Sequence, residues 1–156
     1  MSIFGQLDAA NIPTNPYFVE QGEYEAEVTN AQFKTTKNGD RQLQIRYTIT
    51  DESSAFLDSV VTQFFTLVDP SMTQEDFELL PADEKAKIRK NNSALKRTLC
   101  GNENNPSQKG LGVNMDDLND SDWNPDALVG TKVNLAVNNY GSNNEGVSVR
   151  WVNLRD

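Results

Sequence analysis

The sequence predicts an all-β fold with a helical insertion, a small five-stranded barrel. Three observations predict it. Two stretches, within residues 22–49 and 132–152, alternate apolar and polar residues with a period of two, and each has turn chemistry at its middle. A run of β-branched and aromatic residues, Val60 to Leu67 (VVTQFFTL), supplies one more strand. Between that run and the second periodic stretch lie the main helical signals of the chain, at about residues 71–101.

Residues 1–21 read as an irregular N-terminal arm. Pro13 and Pro16 interrupt it and bias their predecessors to extended backbone. Its apolar residues Ile3, Phe4, Leu7, Tyr17, Phe18 and Val19 imply that it packs on its own barrel or, as the alternative, on a neighbouring subunit of a homo-oligomer. Residues 22–156 form the domain. Tyr24, Ala26 and Val28 alternate with Glu23, Glu25 and Glu27; the phase then slips near Asn30 before Ala31 and Phe33, which predicts a bulge that bends the first strand. Asn38-Gly39 makes a hairpin, and Leu43, Ile45, Tyr47 and Ile49 form the inward side of the return strand. Both faces of the third strand are apolar, so either Phe64 or Phe65 faces outward.

In the insertion, Ser71 with Gln74 fits a capping box, Pro81 suits a first helical position, and a helix runs on to Leu99 with Gly101 as its stop. Asn91-Asn92-Ser93 are poor helix formers and suggest a break. An acidic loop at about 102–129 follows, anchored by Trp123 and Leu128. In the closing hairpin Val133, Leu135 and Val137 point one way, and on the return strand Val147, Val149 and Trp151 alternate with Ser148, Arg150 and Val152. Three strands, a helix, then two strands is the plan of the OB fold.

Composition excludes several chemistries. The 156 residues contain no histidine and one cysteine, Cys100, so histidine-based triads, Cys/His zinc sites and internal disulfides are ruled out. Phosphate-loop and dinucleotide-binding glycine motifs are lacking. Asp120-Ser121-Asp122-Trp123-Asn124 begins like a calcium loop, but Pro125 stands where glycine is needed and Thr131 where the bidentate glutamate belongs. No pair among the 23 acidic residues has a spacing that singles it out for magnesium. No catalytic residue, metal or cofactor is expected. No signal peptide and no apolar run of membrane-spanning length is seen, which predicts a cytoplasmic protein without membrane contact.

The net charge of −9 gives no global attraction to nucleic acid, so any contact with DNA needs a local basic patch. OB folds bind oligonucleotides across strands 2 and 3 and the loops joining strands 1–2 and 4–5. Mapped onto this chain, that surface holds Lys34, Lys37 and Arg41, then Gln42, Gln44 and Arg46 on the outward side of the second strand, then Phe64, Tyr140 and Arg150. A second set is the basic helix, with Lys85, Lys87, Arg89, Lys90, Lys96 and Arg97; its alternative reading is a solvated helix face. Trp151 is assigned to the core, and Glu23, Glu25 and Glu27 should lie away from phosphate.

Gly22-Glu23-Tyr24-Glu25-Ala26-Glu27-Val28, Lys37-Asn38-Gly39-Asp40-Arg41-Gln42-Leu43, Asn92-Ser93-Ala94-Leu95-Lys96-Arg97-Thr98-Leu99 and Leu128-Val129-Gly130-Thr131-Lys132-Val133, with the closing hairpin, resemble a family of bacteriophage proteins of formally unknown function. Those proteins are similar to single-stranded DNA-binding proteins and are often encoded among phage replication and recombination genes. The resemblance implies an OB-like fold, a role in phage DNA metabolism in the host cytoplasm, single-stranded DNA as partner and other replication or recombination proteins as further partners. The chain's end, Arg150 to Asp156, has no acidic tail, so recruitment through such a tail is not expected. The reading that follows is a binding module for single-stranded DNA and not an enzyme. The alternative is a protein-interaction module, a phage inhibitor of a host enzyme or an acidic DNA mimic.

Overall fold

The computed structural model describes residue 3, residues 5–119 and residues 122–155. Five strands form one antiparallel sheet: β1 (Gly22–Thr35), β2 (Arg41–Ile49), β3 (Val60–Thr66), β4 (Lys132–Tyr140) and β5 (Gly146–Leu154). Their order is β3-β2-β1-β4-β5, so β3 and β5 are the edges of an open sheet and no ladder joins them. Helical pieces fill the chain between β3 and β4: α1 (Gln74–Glu78), α2 (Ala82–Cys100), α3 (Met115–Leu118) and a 3₁₀ turn at Pro125–Leu128; another 3₁₀ turn, Ala9–Asn11, precedes the sheet.

β1 is the spine. Its first part, Gly22–Glu27, pairs with Val137–Lys132 of β4, and from Ala26 onward it pairs with β2. The register slips between Val28 and Asn30, where the sequence phase slips, and Thr29 is the extra residue. Its hydroxyl lies 2.9 Å from that of Thr48. The alternation keeps Ala26, Val28, Leu43, Ile45, Tyr47 and Ile49 on the inner face, all essentially buried. The fully buried Tyr47 donates its hydroxyl to Gln63 Oε1 at 2.8 Å, which removes the roughly 1–3 kcal/mol penalty of an orphaned buried hydroxyl. Burial also pushes the Tyr47 phenol pKa up, so it stays a donor.

The register of β3, open in the sequence, is settled by pairing. Leu43 faces Phe65 and Gln44 faces Phe64, so Phe65 turns inward (6% exposed) and Phe64 outward (56%). β5 differs from expectation. A second register slip, between Ala136 and Val137, makes Ala136 face Trp151 while Val137 faces Val149, leaving Arg150 as the extra residue. The bulge reverses the phase, so Val152 is the buried residue and Trp151 shares the outer face with Ala136.

The insertion also departs in detail. Thr73 and Asp76 form the capping box of α1; Ser71 instead donates its hydroxyl to Asp69, whose carboxyl these Ser71 bonds hold below its usual value. Pro81 is the residue before α2 and not its first turn. The helix does not break at Asn91-Asn92-Ser93, because Asn91 donates its amide to the Thr66 carbonyl at the end of β3. At its C-terminus the following loop folds back: Leu111 N–H donates to Thr98 O (2.8 Å) and Val113 N–H to Leu99 O (2.9 Å). Gly110, at φ +57°, allows this approach, since a Cβ there would lie 2.6 Å from Thr98 O.

The arm lies on the β4–β5 hairpin of its own chain. Asn139 donates to Val19 O (2.8 Å), Gln21 N–H donates to Asn139 Oδ1 (2.7 Å) and the Thr14 hydroxyl to Glu145 (2.8 Å). Val19 is buried, while Ile3 and Leu7 are exposed and Phe4 lies outside the described residues. Among the described residues no helix is long and apolar enough to cross a membrane.

Candidate nucleic-acid interface

The charge distribution in the sheet is one-sided. Of the chain's 23 acidic residues, the five strands contain only Glu23, Glu25 and Glu27, all in β1 before the bulge. Glu25 accepts a salt bridge from Arg155 at 2.9 Å, and Glu27 pairs in register with Lys132. Beyond the bulge, β1, β2 and β3 hold no carboxylate.

The outer face of that acid-free part is built from cross-strand rows. Lys34 sits beside Gln42 and Thr66; Gln32 beside Gln44 and Phe64; Asn30 beside Arg46 and Thr62. Alternation sends these side chains away from Leu43 and Ile45. Three predicted site residues, Lys34, Arg46 and Phe64, thus meet on one face. Gln44 joins the row but not the solvent: it is 3% exposed, and its Oε1 has no hydrogen-bond partner. Buried acceptors without a partner are rare. Asn30 and Gln32 complete the surface and were missed, although their phase after the bulge was visible in the sequence.

Arg41 falls elsewhere. It has the parity of Leu43 and lies on the opposite face from Arg46, with its guanidinium 4.4 Å from the Phe33 ring centre. Trp123 meets the same ring edge-on at 6.3 Å, so these three close the end of the core. Lys37 is in the β1–β2 turn. Tyr140, 59% exposed, lies at the other end of β1, where its ring covers Gly146. The structure therefore does not bring Lys37 and Tyr140 together.

Between the sheet edges lies a cleft of about 660 Å³, lined by β3, β5, the end of α2 and the loop after it. Phe64 and Trp151 line it from the two strands, and Arg97 and Arg150 add the cations. The Leu67 N–H bond to Arg41 O and the Ile49 N–H bond to Ser59 O fix the pairing parity of β3. Thr62 and Phe64 therefore turn their peptide N–H and C=O to the free edge. Trp151 was missed as an outer residue because the bulge at Arg150 hides behind a regular valine alternation.

The basic helix is divided by its surroundings. Arg97 lines the cleft, while Arg89 lies over the Phe77 ring (5.4 Å) and Lys96 pairs with Glu103 (3.3 Å). Lys87 and Lys90 are exposed and Lys85 is half-buried on the first turns of α2. The six cations thus form no single row. Cys100 is half-buried, and that burial pushes its thiol up despite Lys96 nearby. Among the described residues no cluster of three or more acidic or thiol groups is placed to hold a metal; Asp120 and Ser121 of the calcium-like loop lie outside them.

Residues 5–66, which span most of the arm and all of β1, β2 and β3, match the model of a family described as a protein of unknown function (DUF669). No curated protein matches the chain.

Proposed function

We propose that this protein is a non-catalytic module that binds single-stranded DNA, largely without sequence preference, across the outer face of β1, β2 and β3, in phage DNA replication or recombination. In this reading the sheet curls as an OB-like barrel whose two edges are spanned by α2. The observation that carries it is the confinement of acid: beyond the β1 bulge an acidic protein keeps its first three strands free of carboxylate while placing exposed Lys34 and Phe64 and half-buried Arg46 on one side. Cations track a phosphate backbone, amides meet base edges in varied ways, and an exposed ring stacks on any base, for about 1–3 kcal/mol per base. An acidic mimic of DNA would need long carboxylate rows, and the outer row of β1 ends after three glutamates, two of them beside cations.

The test is fluorescence anisotropy with a labelled oligothymidine of about 15 nucleotides, the upper end of the site size of one OB fold. Binding is expected at about 50 mM salt and should fall steeply by about 200 mM, with a slope of about −0.7 per phosphate contacted. No binding at low salt would refute the proposal.

A further inference from the structure

The cleft between β3 and β5 contains a recognition set that the outer-face reading does not use. Its lining residues include no aspartate or glutamate, although the chain has 23. Three aromatic residues line it: Phe65, which is buried in the core, and, on the outer side of the two edges, Phe64 of β3 and Trp151 of β5, which do not stack on one another. Arg97 from α2 and Arg150 from the β5 bulge line it, and among the described residues neither makes a salt bridge. Asn102, Gln108 and Asn153 add amides, and the Thr62 and Phe64 peptide groups turn toward the gap. At about 660 Å³ the cleft falls within the range of about 300–1,000 Å³ typical of small-ligand sites.

We infer that this cleft takes up a nucleotide unit of the bound strand, with its base against Phe64 and Trp151 and the adjoining phosphates against Arg97 and Arg150. The inference rests on the single-stranded DNA reading and deepens it. Phe64 belongs to both surfaces, so the strand that crosses the Gln32–Gln44–Phe64 row continues over the edge of β3 into the gap. The chemistry selects an anionic ligand with a flat ring. A polypeptide adding to the strand edges would use the backbone groups but leave the two arginines, without salt bridges among the described residues, and the carboxylate-free lining without a purpose.

The chain has two tryptophans, so Trp123→Phe leaves Trp151 as the sole indole emitter, and Trp123 lies outside the cleft. Titrating that variant with labelled oligothymidine reads binding by anisotropy and cleft occupancy by Trp151 emission. Quenching that follows the anisotropy curve is the expected result. Anisotropy rising while Trp151 emission stays constant would overturn the inference and leave the outer-face reading standing. No anisotropy change would overturn both. Quenching by an extended oligoglutamate peptide but not by oligothymidine would also overturn it, in favour of strand addition. In the otherwise unaltered chain, Trp151→Ala should weaken binding by about five- to hundredfold, with Trp151→Phe restoring most of the loss. Full affinity in a folded Trp151→Ala protein would likewise count against it.

Discussion

The two halves of β1 belong to one continuous strand, yet their outer surfaces carry opposite chemistry. Before Thr29 the outward residues are Glu23, Glu25 and Glu27, next to β4; after it they are Asn30, Gln32 and Lys34, next to β2. One extra residue marks the change. It re-aims the strand and divides an acidic region from one without carboxylate. The lesson concerns net charge. At physiological ionic strength charges more than about 8 Å apart are largely screened, so a total of −9 does not set the potential above a particular row of side chains. The local pattern does, and here it is partitioned along a single strand.

The comparison breaks most completely if the second half is made to resemble the first. The double substitution Lys34→Glu with Arg46→Glu places carboxylates on both sides of the bulge. Loss of two phosphate contacts and gain of two repulsions should lower oligothymidine affinity by about a hundredfold at low salt and flatten the salt slope. Both side chains lie on the solvent side of the sheet, so the thermal unfolding midpoint should move by no more than a few degrees. Unchanged affinity would show that the strand binds elsewhere.

How much of this was legible depends on where the chain keeps its periodicity. The slip after Val28 is written in the sequence because Ala31 and Phe33 resume the apolar phase one residue late, so the bulge, the hairpin at Asn38-Gly39 and the inward row Leu43, Ile45, Tyr47 and Ile49 were all readable. The β5 bulge was not. Val147, Val149 and Trp151 form an unbroken apolar series, and only pairing with Ala136 and Val137 shows that Trp151 has crossed to the other face. Similarly, Asn91-Asn92-Ser93 reads as a helix break because propensity is local, whereas the Asn91 bond to Thr66 is a contact 25 residues away in sequence. Within the candidate site Arg46 and Phe64 come from strand alternation, while Lys34, expected in the first loop, lies near the end of β1, and the three meet on one face. Arg41, expected in the first loop, begins β2 and shares the phase of Leu43, so it lies on the other face from Arg46, and the cleft could not be seen because it exists only between strands distant in the chain.

Gln44 sharpens the comparison with a smaller effect. It is a buried amide on the outer face, and its Oε1 lacks a partner. Leaving such an acceptor unpaired costs about 1–3 kcal/mol, so Gln44→Leu should hold or raise the unfolding free energy, by up to about 1 kcal/mol once imperfect packing is counted. Because that oxygen is out of reach of solvent, the same substitution should leave oligothymidine binding unchanged. Urea denaturation beside anisotropy reads both. A marked loss of stability would mean that the amide is satisfied in the folded protein.

The smallest effect is expected from the acidic half. Glu25 is bound to Arg155 at 2.9 Å but remains more than half exposed, and exposed pairs of this kind contribute about 0.2–1 kcal/mol. Glu25→Gln should therefore change stability by less than about 1 kcal/mol. Its effect on DNA affinity tests whether the bulge separates two electrostatic regions. If Glu25 acts only on its own side, removing its charge raises affinity by less than about twofold at 0.15 M salt, because its field at the Lys34–Arg46 rows is screened. An increase of tenfold would mean that the two halves of β1 share one surface potential, and that the acid-free face owes its character to distance less than to the cations it carries.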